Sequence, residues 1–409
     1  MNILIKTIYI ITSTLLSSFA YSHGIVSITN TSDASRKIEF PDTKNYKVLV
    51  LDPHTHSTFS DGHVWPTMRV AEAIRDGLDA MAITEHLEWQ PHLKDIPHKD
   101  RNRAFEIAAE ASQSSELMVI AGTEITREIP YGHINALFIN DANKIFGNLP
   151  VNKNADSKAY YFTQGQWPVQ KAINEANQQG AFLIWNHSWW DRTVLDRPIK
   201  LSAFHLDNIK NSRIHGIEIV NGASYSPDAF KLALDLNITM IGSSDVHELI
   251  DWDYQPHKGG HRPVTLVLAN KSTEKSLHNA LLAGRTVVWF KNILLAREEN
   301  MSELLNATLK VDRAYYNDKQ SILFVEIVNQ SDVNFKLRNT SRFSFFHNTE
   351  FIELGEHGRV KIGVRTNGRV KDISLEFEIL NALISPKEHA LIKLQVSNIA
   401  ELSTVKKIQ

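Results

Sequence analysis

The stretch VLVLDPHTHSTFSDGH, residues 48–63, decides how the rest of the chain is read. Its first four residues are an apolar run of the kind that forms a buried strand. The run ends in a polar turn carrying His54, His56 and Asp61. Side chains alternate on an extended segment, so a His-x-His pair sends both imidazoles to one side. Two imidazoles on one side, with a carboxylate five residues further on, can close around a divalent metal ion. Taken alone, a His-x-His pair fits a surface turn rich in His and Asp better than a metal site. The rest of the chain separates these two readings.

Outward from this stretch, apolar strand patterns recur at 80–83, 117–121, 134–139, 181–185, 217–220, 238–241 and 265–268. Helical patterns lie between them at 64–77, 100–115, 167–180, 227–237 and 271–284, several ending at a glycine. Such alternation predicts an α/β fold with a mostly parallel sheet, open or closed. Polar residues then fall at repeated places. Thr84-Glu85-His86 follows the second strand, Gly122-Thr123-Glu124 the third, and Asn186-His187 the fifth. Tyr131-Gly132-His133 stands just ahead of the fourth, and Asp245 and His247 follow the seventh. Carboxyl ends of strands are where α/β folds gather ligands and catalytic groups. Each residue alone has an ordinary structural explanation, such as a core histidine, a helix cap or a turn aspartate. A whole set repeating one topological position does not.

The chain has 409 residues, which predicts two domains, or one large barrel with an appendage. A hydrophobic content of 43% and a charged content of 22% are those of a globular protein with true cores. A net charge of −2 offers no nucleic-acid surface. With no cysteine and 18 histidines, disulfides and thiolate chemistry are excluded, and any metal site must use imidazole and carboxylate ligands. Residues 1–22 read as a signal peptide, with cleavage after Ala20 or Ser22, rather than as a retained membrane span. The mature chain is therefore expected in the periplasm or outside the cell. Composition shifts near residue 300, so the expected domains are 23–300 and a smaller β-rich one, 301–409. The second shows short alternating runs such as SILFVEIVN and SLEFEIL, the pattern of an antiparallel sandwich, and carries no chemical constellation.

The ordered motifs HTHSTFSDG, TEH, GTE, GH, NHS and SSDVH resemble the PHP (polymerase and histidinol phosphatase) superfamily of metal-dependent phosphoesterases over residues 48–290. The resemblance implies a distorted (β/α)7 barrel with metals at the carboxyl-terminal mouth. It implies that His54, His56, Glu124 and Asp245 hold one ion, that Asp61, His86 and His247 hold a second, and that His133 and His187 hold a third with Glu124 bridging. The stretches EHLEWQPHLKDIPHKDRNRAFEIA and GTEITREIPYGHINALFI further resemble exported haloalkyl-phosphate-type (Sb-PDE-like) phosphodiesterases. This implies hydrolysis of a small-molecule phosphodiester, with Glu124, Asp245 and His247 at the catalytic centre.

Two to three divalent ions outweigh the charge of Asp61, Glu124 and Asp245, which suits an anionic ester. Zinc, manganese and iron all accept such ligands. The expected chemistry is attack on phosphorus by a water that the metals make acidic. Arg262 is the first candidate for holding phosphate, because a guanidinium matches its oxygens as a fork. His98, Arg101 and Arg103 are weaker candidates. Trp89, Trp189, Trp190 and Trp252 fall in loops after ligand-bearing strands and are candidates to line a leaving-group pocket. The rival readings are a phosphomonoesterase of the same fold and a non-catalytic metal- or phosphate-binding protein.

Overall fold

Five of the six residues of β1 (Lys47–Asp52) are buried, as in a strand covered on both faces. The structure is a computed structural model that describes residues 37–152, 154–190, 199–317, 321–347 and 349–402. The expected signal peptide, 1–22, lies outside the described residues. After β1 come β2 (Ala80–Ile83), β3 (Met118–Thr126), β4 (His133–Leu137), β5 (Phe182–Trp185), β6 (Gly216–Asn221), the short β7 (Ser224–Tyr225), β8 (Thr239–Ser243) and β9 (Val264–Ala269). Helices Pro66–Arg75, Arg103–Ser112, Val169–Gln178, Pro227–Asp235 and Glu274–Leu282 stand where the periodicity places them. Local chemistry starts several of them. Pro66 and Pro227 open helices where a missing N–H costs nothing, and the Ser226 and Thr273 hydroxyls cap exposed amides.

The strands form a circuit in the order β9-β1-β2-β3-β4-β5-β6-β8. The β1–β2, β2–β3, β5–β6 and β6–β8 pairs are parallel. The β3–β4, β4–β5 and β1–β9 pairs are antiparallel, so the sheet is more mixed than alternation suggests. The connection from β3 to β4 is too short for a parallel crossover, which needs a dozen residues or more.

The barrel closes between β8 and β9 through threonine hydroxyls. Thr265 Oγ1 accepts from the Gly242 amide at 2.9 Å and donates to the Gly242 carbonyl at 2.7 Å. Thr286 Oγ1 donates to the Met240 carbonyl at 2.8 Å. A Cβ at Gly242 would lie 2.3 Å from Val288 Cγ1, so this approach requires glycine.

Beyond β9 the sheet continues through β10 (Thr286–Phe290) and β11 (Ile293–Ala296). Helix Glu298–Thr308 follows, and the boundary expected at residue 300 falls inside it. The remaining strands are β12 (Leu309–Asn317), β13 (Ile322–Asn329), β14 (Phe335–Asn339), β15 (Phe345–Phe346), β16 (Phe351–Leu354), β17 (Arg359–Arg365), β18 (Ile373–Ser385), β19 (Glu388–Val396) and β20 (Ala400–Leu402). One sheet, containing β16, β14, β18 and β19, joins the barrel through the parallel β11–β18 pair. The other runs β15-β17-β13-β12-β20. Alternating residues such as Leu375, Phe377 and Ile379 on β18, and Leu323, Val325 and Ile327 on β13, belong to one apolar cluster. This is the expected sandwich, and that cluster also takes in Val50 and Met81 of the barrel.

Gly242→Ala should cost about 1–3 kcal/mol in urea unfolding, the usual range for overpacking. Val288→Ala in the same chain should recover part of the loss. An unchanged midpoint in the single variant would remove the close approach at the seam.

Candidate metal centre

The ligand-bearing segments converge because the barrel brings its first and last loops together. His54 and His56 leave β1 on a segment bridged to the β8 loop, with the Asp245 amide donating to the His54 carbonyl at 2.9 Å and the His56 amide to the Val246 carbonyl at 3.1 Å. The turn that returns Asp61 needs Gly62, where a Cβ would stand 2.8 Å from the His56 carbonyl carbon. His86 follows β2 and bridges Glu124, which lies within β3. His133 is the first residue of β4. Since β4 runs antiparallel, its beginning lies at the mouth formed by the carboxyl ends of its neighbours. His187 and Asp245 have φ values of 23° and 49°, in the left-handed region that non-glycine residues disfavour.

All nine sequence-derived ligands meet here. His54 Nε2 and His56 Nε2 are 3.0 Å apart, each 3.1 Å from Asp245 Oδ1 and 3.3 Å from Glu124 Oε2. A second group joins His56, Asp61, His86 and His247, with Asp61 oxygens 3.3 Å from His86 Nε2 and 3.2 Å from His247 Nε2. A third joins His86, Glu124 and His133, with His133 Nδ1 2.8 Å from Glu124 Oε1. His187 Nε2 stands further off, 3.8 Å from Glu124 and 3.9 Å from Asp245. The groupings overlap more than the family pattern implies, since His56 serves two and His86 joins Glu124 and His133.

This donor set fits divalent cations. Ligands about 2.0–2.2 Å from one ion stand about 3.0–3.5 Å from each other, as these do. Two neutral imidazole nitrogens facing each other at 3.0 Å need a proton or a cation between them. Asp61 Oδ1 and His133 Nδ1 are buried and lack a well-aligned hydrogen bond.

The charge balance agrees. Burial opposes ionisation of Glu124, Asp61 and Asp245, but the surrounding imidazoles outweigh it and hold all three well below the usual carboxylate range. Burial opposes protonation of His54 and His86, and the carboxylates outweigh it and raise both well above the ordinary imidazole value. For His133 burial prevails, and its value is lowered. Protons and metal ions therefore compete for the same nitrogens.

A supporting layer orients the donors. Glu218, fully buried, accepts from Ser243 Oγ at 2.5 Å, the His187 amide at 2.7 Å and Asn221 Nδ2 at 2.9 Å, and faces His54 Nδ1 at 2.8 Å. A proton on His54 Nδ1 leaves Nε2 free to ligate. His247 Nδ1 likewise meets the Asp245 carbonyl at 2.8 Å. Glu85 accepts from the Ser57 and Ser60 hydroxyls and pins the Asp61 turn. Arg69, with no exposed side-chain surface, donates to the carbonyls of His56 and His247, each at 2.8 Å, and so staples the first loop to the last. The sequence reading missed Glu85 and Arg69 as supports. Glu85 was visible within TEH, whereas Arg69 sits on a helix with no local sign of its role.

Arg262 requires a correction. Its guanidinium is buried, with Nη2 2.7 Å from Asp76 and Nη1 3.2 Å from Asp52. Asp52 also accepts from Ser244 Oγ at 2.6 Å, so Arg262 braces the Asp245 loop from beneath and presents no donor to a substrate. Arg101 is occupied by Tyr160 and His98, and Arg103 pairs with Glu106, so none of these three lines the cleft. Trp252 is 67% exposed and lies outside the cleft.

The cluster opens into a cleft of about 540 Å³. Trp89, Trp189 and Trp190 line it as expected, joined by Lys158, Tyr161 and Phe162 from helix Ser157–Gln164. That helix went unread because SKAYYFTQ has no clear apolar stripe.

A family profile described as an Ig-like domain matches residues 309–395. No curated protein matches the chain. The crystal structure of a two-domain protein from Bacteroides vulgatus, containing a predicted PHP-like metal-dependent phosphoesterase, is 33% identical, with a TM-score of 0.77 over 88% of this chain and 99% of that one. A candidate metal-dependent phosphoesterase from Bifidobacterium adolescentis (18% identity, TM-score 0.34) and a sulfate-bound amidohydrolase from Chromobacterium violaceum (15%, 0.33) each cover 48% of this chain and 87% of their own. The chain belongs to the PHP-like metal-dependent phosphoesterases, in a two-domain form with a β-rich carboxyl-terminal domain.

Glu218→Ala should weaken metal binding about 10–100-fold, the usual effect of losing a ligand's orienting partner. Chelator competition reads it, and unaltered affinity would leave Glu218 without that role. Arg262→Ala should lower stability by about 3–5 kcal/mol by stranding two buried carboxylates. Full stability combined with a raised KM would restore Arg262 as a substrate contact.

Proposed function

We propose that this chain is an exported phosphodiesterase that hydrolyses a small-molecule phosphodiester at the nine-residue cluster. What carries the reading is the cleft: the donor cluster and the side chains of Trp89, Trp189, Trp190, Tyr161 and Phe162 line one space of about 540 Å³, larger than a phosphate alone fills. Two to three divalent ions, of zinc, manganese or iron, suit the nitrogen and oxygen donors. When bound, such ions supply Lewis acidity and lower the pKa of water.

The chain's own groups do the rest. Glu124, with one oxygen toward His54 and His56 and the other toward His133, would contribute donors to more than one ion. Asp245 and His247 close the last loop over the first, and His247 stays a third exposed at the mouth. Lys158 is the one Lys or Arg among the described residues lining the cleft, and it replaces Arg262 as the candidate cation for phosphate. With no cysteine present, the reading requires no covalent intermediate on a thiol. Export rests on the sequence of residues 1–22.

The test pairs metal content of the purified protein with turnover of bis(p-nitrophenyl) phosphate and p-nitrophenyl phosphate. The expected result is two to three ions per chain and preference for the diester. Turnover of the monoester alone would discard the diester reading and keep the site. Metal without turnover of either would favour a binding protein. Lys158→Ala should raise KM about two- to fivefold at unchanged metal content, the modest effect of an exposed charge.

A further inference from the structure

A second groove of about 480 Å³ adjoins the metal cleft, and Glu128, Tyr161 and Phe162 line both. Its surface is apolar and open. Ile129 is 69% exposed and Phe162 49%, well beyond what packing explains. Its floor is fixed. Trp167 lies against Gly147, where a Cβ would meet the indole at 2.3 Å, and the Trp167 carbonyl accepts from Arg127 Nη2 at 3.2 Å. Arg127 forms a buried pair with Glu88, Glu88 accepts from the Thr126 amide at 2.8 Å, and Thr126 Oγ1 meets His86 Nδ1 at 2.6 Å. A short chain of buried contacts thus ties the groove floor to a metal-ligand candidate.

We propose that groove and cleft form one track, in which the second substituent of the phosphodiester, a neutral apolar or aromatic group, crosses Phe162 and lies between Ile129 and Trp167. The charges select neutrality. Glu128 stands at the junction and opposes a second anionic group. Lys158, whose Nζ lies 5.9 Å from the centre of the Phe162 ring, opposes a cationic one. Continuity with the cleft identifies the occupant as part of the substrate rather than another macromolecule. This inference rests on the diester reading above and specifies its substrate class.

The experiment compares methyl and octyl p-nitrophenyl phosphate on the metal-loaded full chain. The octyl ester should show kcat/KM at least about tenfold higher, carried by KM, as apolar burial predicts. Phe162→Ala and Ile129→Asp should each bring that ratio close to one. Equal values in the unsubstituted protein, or a ratio that both variants preserve, would overturn the track. Calorimetry with methyl- and octylphosphonate separates its failure from failure of the diester reading. Without diester turnover, tighter binding of octylphosphonate that is lost in Ile129→Asp still supports the groove. Equal binding of the two phosphonates overturns it.

Discussion

Six imidazoles and three carboxylates crowded at one end of a barrel are the constraint on which the rest of this structure depends. Donor atoms 3.0–3.3 Å apart do not attract one another without a proton or a cation among them. The surrounding protein must therefore hold them in place. Glu218, Glu85 and Arg69 do so by direct contact, and the Arg262–Asp52–Ser244 chain does so from beneath. Left-handed backbone at His187 and Asp245 belongs to the same bargain: strain persists where its surroundings overdetermine it.

The barrel that supplies this support is irregular in ways that serve the site. The antiparallel β4 delivers His133 to the mouth from the start of a strand rather than its end. The threonine seam at Gly242 draws β8 toward β9 and so sets the position of the Asp245 loop that follows. Continuation of the barrel sheet through β11 into β18 joins the sandwich to the barrel, and none of the sandwich's described residues enters the cleft lining.

Much of the fold was legible because strand and helix signals are local. Strands β1, β2 and β8 lie within a residue or two of the apolar runs that announce them. Strand direction was less legible, since alternation shows that a strand exists and not which way it runs. The short gap between β3 and β4 was the one available clue. The ligands were legible because His, Asp and Glu recur after strand ends. The support from Arg69 was not, because it acts on the His247 carbonyl, remote in sequence.

The sequence by itself determined the α/β alternation, the β-rich tail and the identity of the donors, since each is written in local pattern and residue type. Only the tertiary structure decided which donors share a position, that Lys158 rather than Arg262 faces the cleft, and that a second groove opens beyond Phe162. Those facts depend on where a side chain points after distant segments pack. A guanidinium meant for phosphate and one meant for two buried aspartates look the same along the chain, and only the surrounding carboxylates distinguish them.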